Sequence, residues 1–162
     1  VQYHGGGAAA TIEPLREHLA DYEQHLANNL GYGAQACYRG PRLYDSPETK
    51  AAVIKWVTWF KRYRDILESD VIHIRRADGR NLDAILHVNP SLPIKGLAMI
   101  YNPSDEPLEQ QITWPLYYSG LSEFASVAER DGKSVKMKLN REYRINVRAK
   151  VAAHSQTWFV IR

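Results

Sequence analysis

The sequence predicts two architectures in tandem: an α/β segment of parallel type over residues 1–69, then an antiparallel β-sandwich of about eight strands over residues 70–162. Three observations predict it. Apolar residues recur at helical spacing as far as Ser69 and alternate with period two from Val71 onward. The first part reads strand, helix, strand, helix, the order of a parallel βαβα unit. The second part carries turn signals roughly every 8–12 residues. Two helices with two short strands cannot close a core, so the first part is expected to be a piece of something larger.

Each element has a local reason. Val1–His4 is a strand-like stub that runs into Gly5-Gly6-Gly7. Thr11 offers an N-cap, and Ile12, Leu15, Leu19, Tyr22, Leu26 and Leu30 form one apolar stripe that Gly31 and Gly33 end. Ala34–Tyr38 reads as a short buried strand of small residues, followed by a loop over 39–42. Ser46 caps a second helix with Pro47 at its first position, where a missing N–H costs nothing. Its expected inner face is Val53, Trp56, Val57, Phe60, Arg64 and Leu67, with the Arg64 stem covering apolar surface.

From Val71 the pattern is that of strands. A turn at Asp78-Gly79 long enough to include a bulge would set Ile74 against Ala84 and Ile72 against Leu86. Leu97–Tyr101 is apolar on both sides and reads as a central strand. Leu108, Ile112 and Trp114 line one face of the next, and a strand near Phe124–Glu129 leads to a turn at Asp131-Gly132. Val135, Met137 and Leu139 alternate with lysines, and Tyr143, Ile145 and Val147 alternate with Arg144, Asn146 and Arg148. Both read as half-buried antiparallel strands. Thr157–Ile161 completes the set.

Composition narrows the function classes. The chain has 162 residues, 44% hydrophobic and 24% charged, values of a globular protein. No apolar run approaches the ~20 residues of a membrane-spanning helix, so no membrane partner is expected. Net charge is +3, but the basic residues are scattered and no recognition motif accompanies them, which argues against nucleic acid. Cys37 is the only cysteine, so neither an internal disulfide nor a cysteine metal site is expected. His18 and His25 share a helix without a third ligand, and His73 and His87 are out of register, so no metal and no cofactor is expected. The compartment is not legible.

In parallel α/β sheets, function gathers at the C-terminal ends of strands. Those ends hold His4 and a loop with Tyr38, Arg39, Arg42 and Asp45. Planar guanidinium and carboxylate groups bridge paired hydroxyls, and tyrosine faces cover sugar rings, so the set suits a polyhydroxylated ligand. In the alternative, Arg39 and Arg42 only tie the loop down through ion pairs, Asp45 among them. Gly5-Gly6-Gly7 lacks the spacing of a phosphate-binding loop. Hydrolysis of a glycosidic bond needs two facing carboxylates, roughly 5–9.5 Å apart. Only Asp45 and Glu13 lie near these ends. No catalytic residue is therefore assigned, and the chain alone is expected to be inactive.

Tyr44-Asp45-Ser46-Pro47-Glu48-Thr49-Lys50, the helix through Trp56, Trp59 and Tyr63-Arg64-Asp65-Ile66-Leu67, Asp78-Gly79-Arg80, and Gly96–Pro103 carry a resemblance. Together they resemble the end of a (β/α)₈ glycoside hydrolase of the α-galactosidase or α-amylase type, with its all-β C-terminal domain. The resemblance covers nearly the whole chain, mainly as architecture. It implies that 1–69 is the last two βα units of a TIM barrel and that the nucleophile and acid/base lie on strands absent here. It implies a carbohydrate substrate, substrate contact by His4, Tyr38, Arg39, Arg42 and Asp45, and the missing barrel portion as partner. A secreted or periplasmic parent fits such an enzyme. The alternative function is a non-catalytic carbohydrate-binding or structural β-sandwich module, which exposure of Trp114, Tyr117 and Tyr118 would favour.

Overall fold

A computed structural model describes residues 12–34 and 42–162. The chain divides into two compact units, 1–64 and 65–162.

In the first unit, a short helical turn at Leu15–Glu17 precedes helix α1, Leu19–Gly31. The helix begins later than its apolar stripe because Pro14 interrupts the expected first turn. Tyr22, Leu26, Ala27 and Leu30 are buried, and Gly33 takes the left-handed backbone expected after a helix end. Helix α2 runs Pro47–Leu67. Ser46 Oγ accepts the Thr49 N–H at 3.2 Å, and Thr49 Oγ1 accepts the Ser46 N–H at 3.0 Å, a reciprocal cap with threonine in the usual Glu position.

The buried side of α2 is Ala52, Trp56, Trp59, Tyr63, Ile66 and Leu67, rotated from the expected face. Val57 and Arg64 are exposed instead. Trp59 and Tyr63 carry far more apolar area than Val57, so the aromatic stripe wins the core. The helices meet at Glu23, whose Oε1 accepts Trp56 Nε1–H at 3.1 Å and pairs with Lys55.

Beyond α2 every strand pair is antiparallel. The strands are β1 Asp70–Arg75, β2 Asp83–Val88, β3 Gly96–Tyr101, β4 Leu108–Pro115, β5 Phe124–Glu129, β6 Val135–Lys138, β7 Arg144–Val151 and β8 Gln156–Ile161. Six of them form one sheet in the order β1-β2-β3-β8-β5-β6, and β4 and β7 form a second. The two sheets enclose a core that includes Leu86, Ile100, Trp114, Ile145, Phe159 and Ile161.

The expected α/β barrel fragment is therefore corrected. The described residues hold two helices and an antiparallel β architecture, the fold of an all-β domain. The error has a physical origin. Amphipathic helices require an apolar partner, and a parallel sheet is only one way to supply it. Of the two expected parallel strands, Val1–His4 lies outside the described residues, as does Ala34–Tyr38 apart from Ala34. The Ala34 N–H bonds back to the Asn29 carbonyl at 2.9 Å, completing the end of α1 rather than entering a strand.

Within the β unit, Ile72 pairs with Leu86 as expected, but a bulge between His73 and Arg75 sets Arg75 opposite Ala84. β3 is buried along its whole length. β7 alternates without exception, turning Ile145, Val147, Ala149 and Val151 inward. β6 departs from expectation: as an edge strand it leaves Val135 exposed.

The β1–β2 loop turns on Asp78, whose carboxylate accepts the N–H groups of Asn81 at 2.8 Å and Arg80 at 2.9 Å and the Asn81 side-chain amide. These bonds, the Asn81 N–H first, lower its pKa from 3.8 to about 2. Folding thus favours the ionised form. Its contribution is complete above about pH 4 and is lost as pH falls toward about 2. An NMR titration is expected to show the Arg80 and Asn81 amides shifting together in that window; amides that stay fixed would contradict it.

Candidate functional site

Of the five residues expected to contact substrate, His4, Tyr38 and Arg39 lie outside the described residues, whereas Arg42 and Asp45 lie on the loop entering α2. Arg42 Nε sits 3.4 Å from Glu13 Oε1, with its side chain half exposed and Glu13 largely covered. The ion pair therefore forms with Glu13. Asp45 Oδ2 accepts the Arg16 N–H at 3.2 Å, and Asp45 Oδ1 lies 3.3 Å from the Thr49 hydroxyl. The Tyr22 hydroxyl donates to the Leu43 carbonyl at 2.8 Å. Burial, with the Glu13 charge adding to it, raises the Tyr22 pKa and keeps that hydroxyl a donor. The loop is thus held at Arg42, Leu43 and Asp45, while Tyr44 stays exposed with Lys50 Nζ 5.4 Å from its ring centre.

The β unit offers two further places. A cavity of about 880 Å³ opens beside β6 and is lined by Trp158, Phe159, Val147, Val135, Met137 and Arg130 among others. Its aromatic face is already used: the Arg130 guanidinium lies over Trp158 at 5.2 Å. Arg130 is held there by bonds to Thr157 Oγ1 at 3.2 Å and the Gln156 carbonyl at 3.0 Å. A ring covered by a tethered cation does not offer that face to a sugar.

The second place is a cluster of three tyrosines. Tyr117, Tyr118 and Tyr143 are 62%, 64% and 39% exposed, although large aromatic rings ordinarily bury most of their area. Tyr117 is the hub, 5.2 Å from Tyr118 at an interplanar angle of 87° and 5.5 Å from Tyr143 at 70°. Trp114, whose exposure would have favoured the binding-module alternative, is fully buried. Among the described residues no group of three His, Cys, Asp or Glu side chains could hold a metal ion.

No protein-family model and no curated protein matches the chain. Solved structures do. The alpha-amylase from Geobacillus thermoleovorans, complexed with acarbose, aligns over 88% of this chain and 34% of its own, at 12% identity and TM-score 0.55. AmyP in complex with maltose aligns over 89% of this chain and 35% of its own, at 5% identity and TM-score 0.52. What they share with it is the fold. The chain spans about a third of the length of either structure.

Tyr143 is the site residue that alternation alone misplaces. It reads as the first inward residue of β7, yet it precedes the strand and takes a left-handed backbone, φ 57°. The available signal is Asn140, which opens the turn: its side-chain oxygen accepts the Glu142 and Arg144 N–H groups, each at 2.9 Å.

Proposed function

We propose that the chain is the C-terminal, non-catalytic part of a carbohydrate-active enzyme, a glycoside hydrolase of the alpha-amylase kind. The observation that carries this reading is the fold shared over 88% of the chain with an amylase of which it matches only 34%. The bound acarbose and maltose of the two neighbours support an α-glucan as the substrate class, maltose being two α-1,4-linked glucose units. In this reading Arg42 and Asp45, with His4, Tyr38 and Arg39, contact the sugar. Arg42 has the freer geometry, because its half-exposed guanidinium keeps donors beyond the one facing Glu13. Asp45 contributes while bonded to Arg16 and Thr49.

A second reading, an independent carbohydrate-binding module, is favoured by the exposure of Tyr117 and Tyr118 and opposed by the burial of Trp114. The test is starch hydrolysis by the product of the complete reading frame, beside the 162-residue chain alone. Reducing sugar released by the former and none by the latter is the expected result. A complete product inert on starch and on other glycosides would overturn the enzyme reading, and activity of the chain alone would overturn the non-catalytic assignment.

A further inference from the structure

The geometry points to a second sugar-contacting surface, remote in sequence from the Arg42–Asp45 loop: Tyr117, Tyr118 and Tyr143 form a preorganised platform for an α-1,4-glucan chain. The inference rests on the carbohydrate reading above and deepens it. Two observations carry it independently: the exposure of the three rings, and the backbone that holds them.

Tyr117 and Tyr118 lie on one helical turn, Tyr117–Ser119, between two buried anchors, Leu116 and Ser119. The Ser119 hydroxyl donates to the Leu116 carbonyl at 2.6 Å, and Gly120 leaves the turn at φ 75°. A Cβ on Gly120 would also meet the Pro90 ring at 3.0 Å, so the turn is fixed against the β2–β3 loop. Tyr143 is held from the other side. Its N–H bonds the Asn140 carbonyl at 3.0 Å, and its own carbonyl accepts the Leu116 N–H at 2.8 Å. A bulky residue at positive φ is a strained choice where glycine would fit freely. Here the strain directs a ring onto Tyr117 rather than into the core.

Rings fixed in this way lose little freedom on binding, and each adds a hydroxyl to its apolar face. The interplanar angles of 87° and 70° exclude a flat shelf of all three rings, the shape that suits a straight β-linked glucan ribbon. Tilted faces around a central ring suit the curved path of an α-linked chain. The charges flanking Tyr143 in sequence are matched: Arg144 Nε lies 3.4 Å from Glu142 Oε2, which favours a neutral ligand able to bond both groups.

The test is an NMR titration of the chain, with labelled tyrosine rings, against maltoheptaose and, in parallel, cellohexaose. The expected result is shifts centred on the three rings with maltoheptaose, and an affinity about tenfold weaker in Tyr117→Ala. Tyr143→Gly should also weaken binding, yet leave the melting temperature unchanged or raised, because glycine accepts the left-handed backbone. Maltoheptaose shifts confined to the Arg42–Asp45 loop would overturn the platform while leaving the carbohydrate reading intact. The platform would equally be overturned by the absence of any binding, by preference for cellohexaose, or by variants that alter stability or self-association without altering affinity. In each case the starch assay reads the parent activity separately.

Discussion

Trp114→Ala is expected to lower the free energy of unfolding by about 3–5 kcal/mol, the largest single effect in the β unit. Trp114 is fully buried and meets Phe159 of the opposite sheet edge-on, with ring centres 5.1 Å apart and planes at 71°. With Ile112 it carries β4 into the core shared with the six-stranded sheet. The β4–β7 pair has only two strands, and such a pair is not stable without tertiary packing. A cavity here should therefore loosen the whole second sheet. Trp114→Phe separates volume from polarity. The indole N–H is buried without an acceptor, so phenylalanine removes an unpartnered donor along with part of the ring. Its cost should stay below about 1.5 kcal/mol. Urea unfolding followed by circular dichroism reads both variants; an alanine variant within 1 kcal/mol of the parent would refute the assignment.

Asn102→Ala is expected to cost about 2–3 kcal/mol. Asn102 is 1% exposed, and its amide nitrogen faces the carbonyls of Glu106 at 2.8 Å, Val151 at 3.1 Å and Ala152 at 2.9 Å. Its oxygen accepts the Ser104 N–H at 2.9 Å and the Ser104 hydroxyl at 2.8 Å. One side chain thus joins the loop after β3 to the end of β7, and alanine removes all of these contacts at once. Asn102→Asp keeps the shape but turns donors into acceptors facing three carbonyls. It should be at least as damaging at neutral pH, with a deficit that shrinks in acid, where the neutral carboxyl regains one donor. A deficit independent of pH would mean that the contact acts through shape alone.

How much of this was legible depends on whether the information is local. The alternation of Ile145 and Val147 with Arg144, Asn146 and Arg148 and the apolar run of β3 encode their burial directly, and both hold. The pairing of Ile72 with Leu86 followed from matching faces. The α2 face did not, because two stripes one residue apart compete in the same helix. Side-chain area rather than spacing chose Trp59 and Tyr63 over Val57. The parallel barrel fragment was an inference from element order, and order does not state what an amphipathic helix packs on. At the loop, the Arg42–Glu13 and Asp45–Arg16 contacts join residues far apart in sequence with no periodic pattern to announce them. Tyr143 departs from the alternation because its turn is set by Asn140, outside the strand.

The position of β8 has a consequence for how the molecule is made. Gln156–Ile161 lies between β3 and β5, so the strand that follows the other seven in sequence joins β1-β2-β3 to β5-β6. Until it arrives, β3 and β5 each present an open edge, and neither half can complete its hydrogen bonding. Folding of this unit must wait for a distant contact, the kind that places β-rich domains on timescales of roughly milliseconds to seconds. During that interval the chain exposes the apolar β3, a segment open to aggregation until β8 covers its edge.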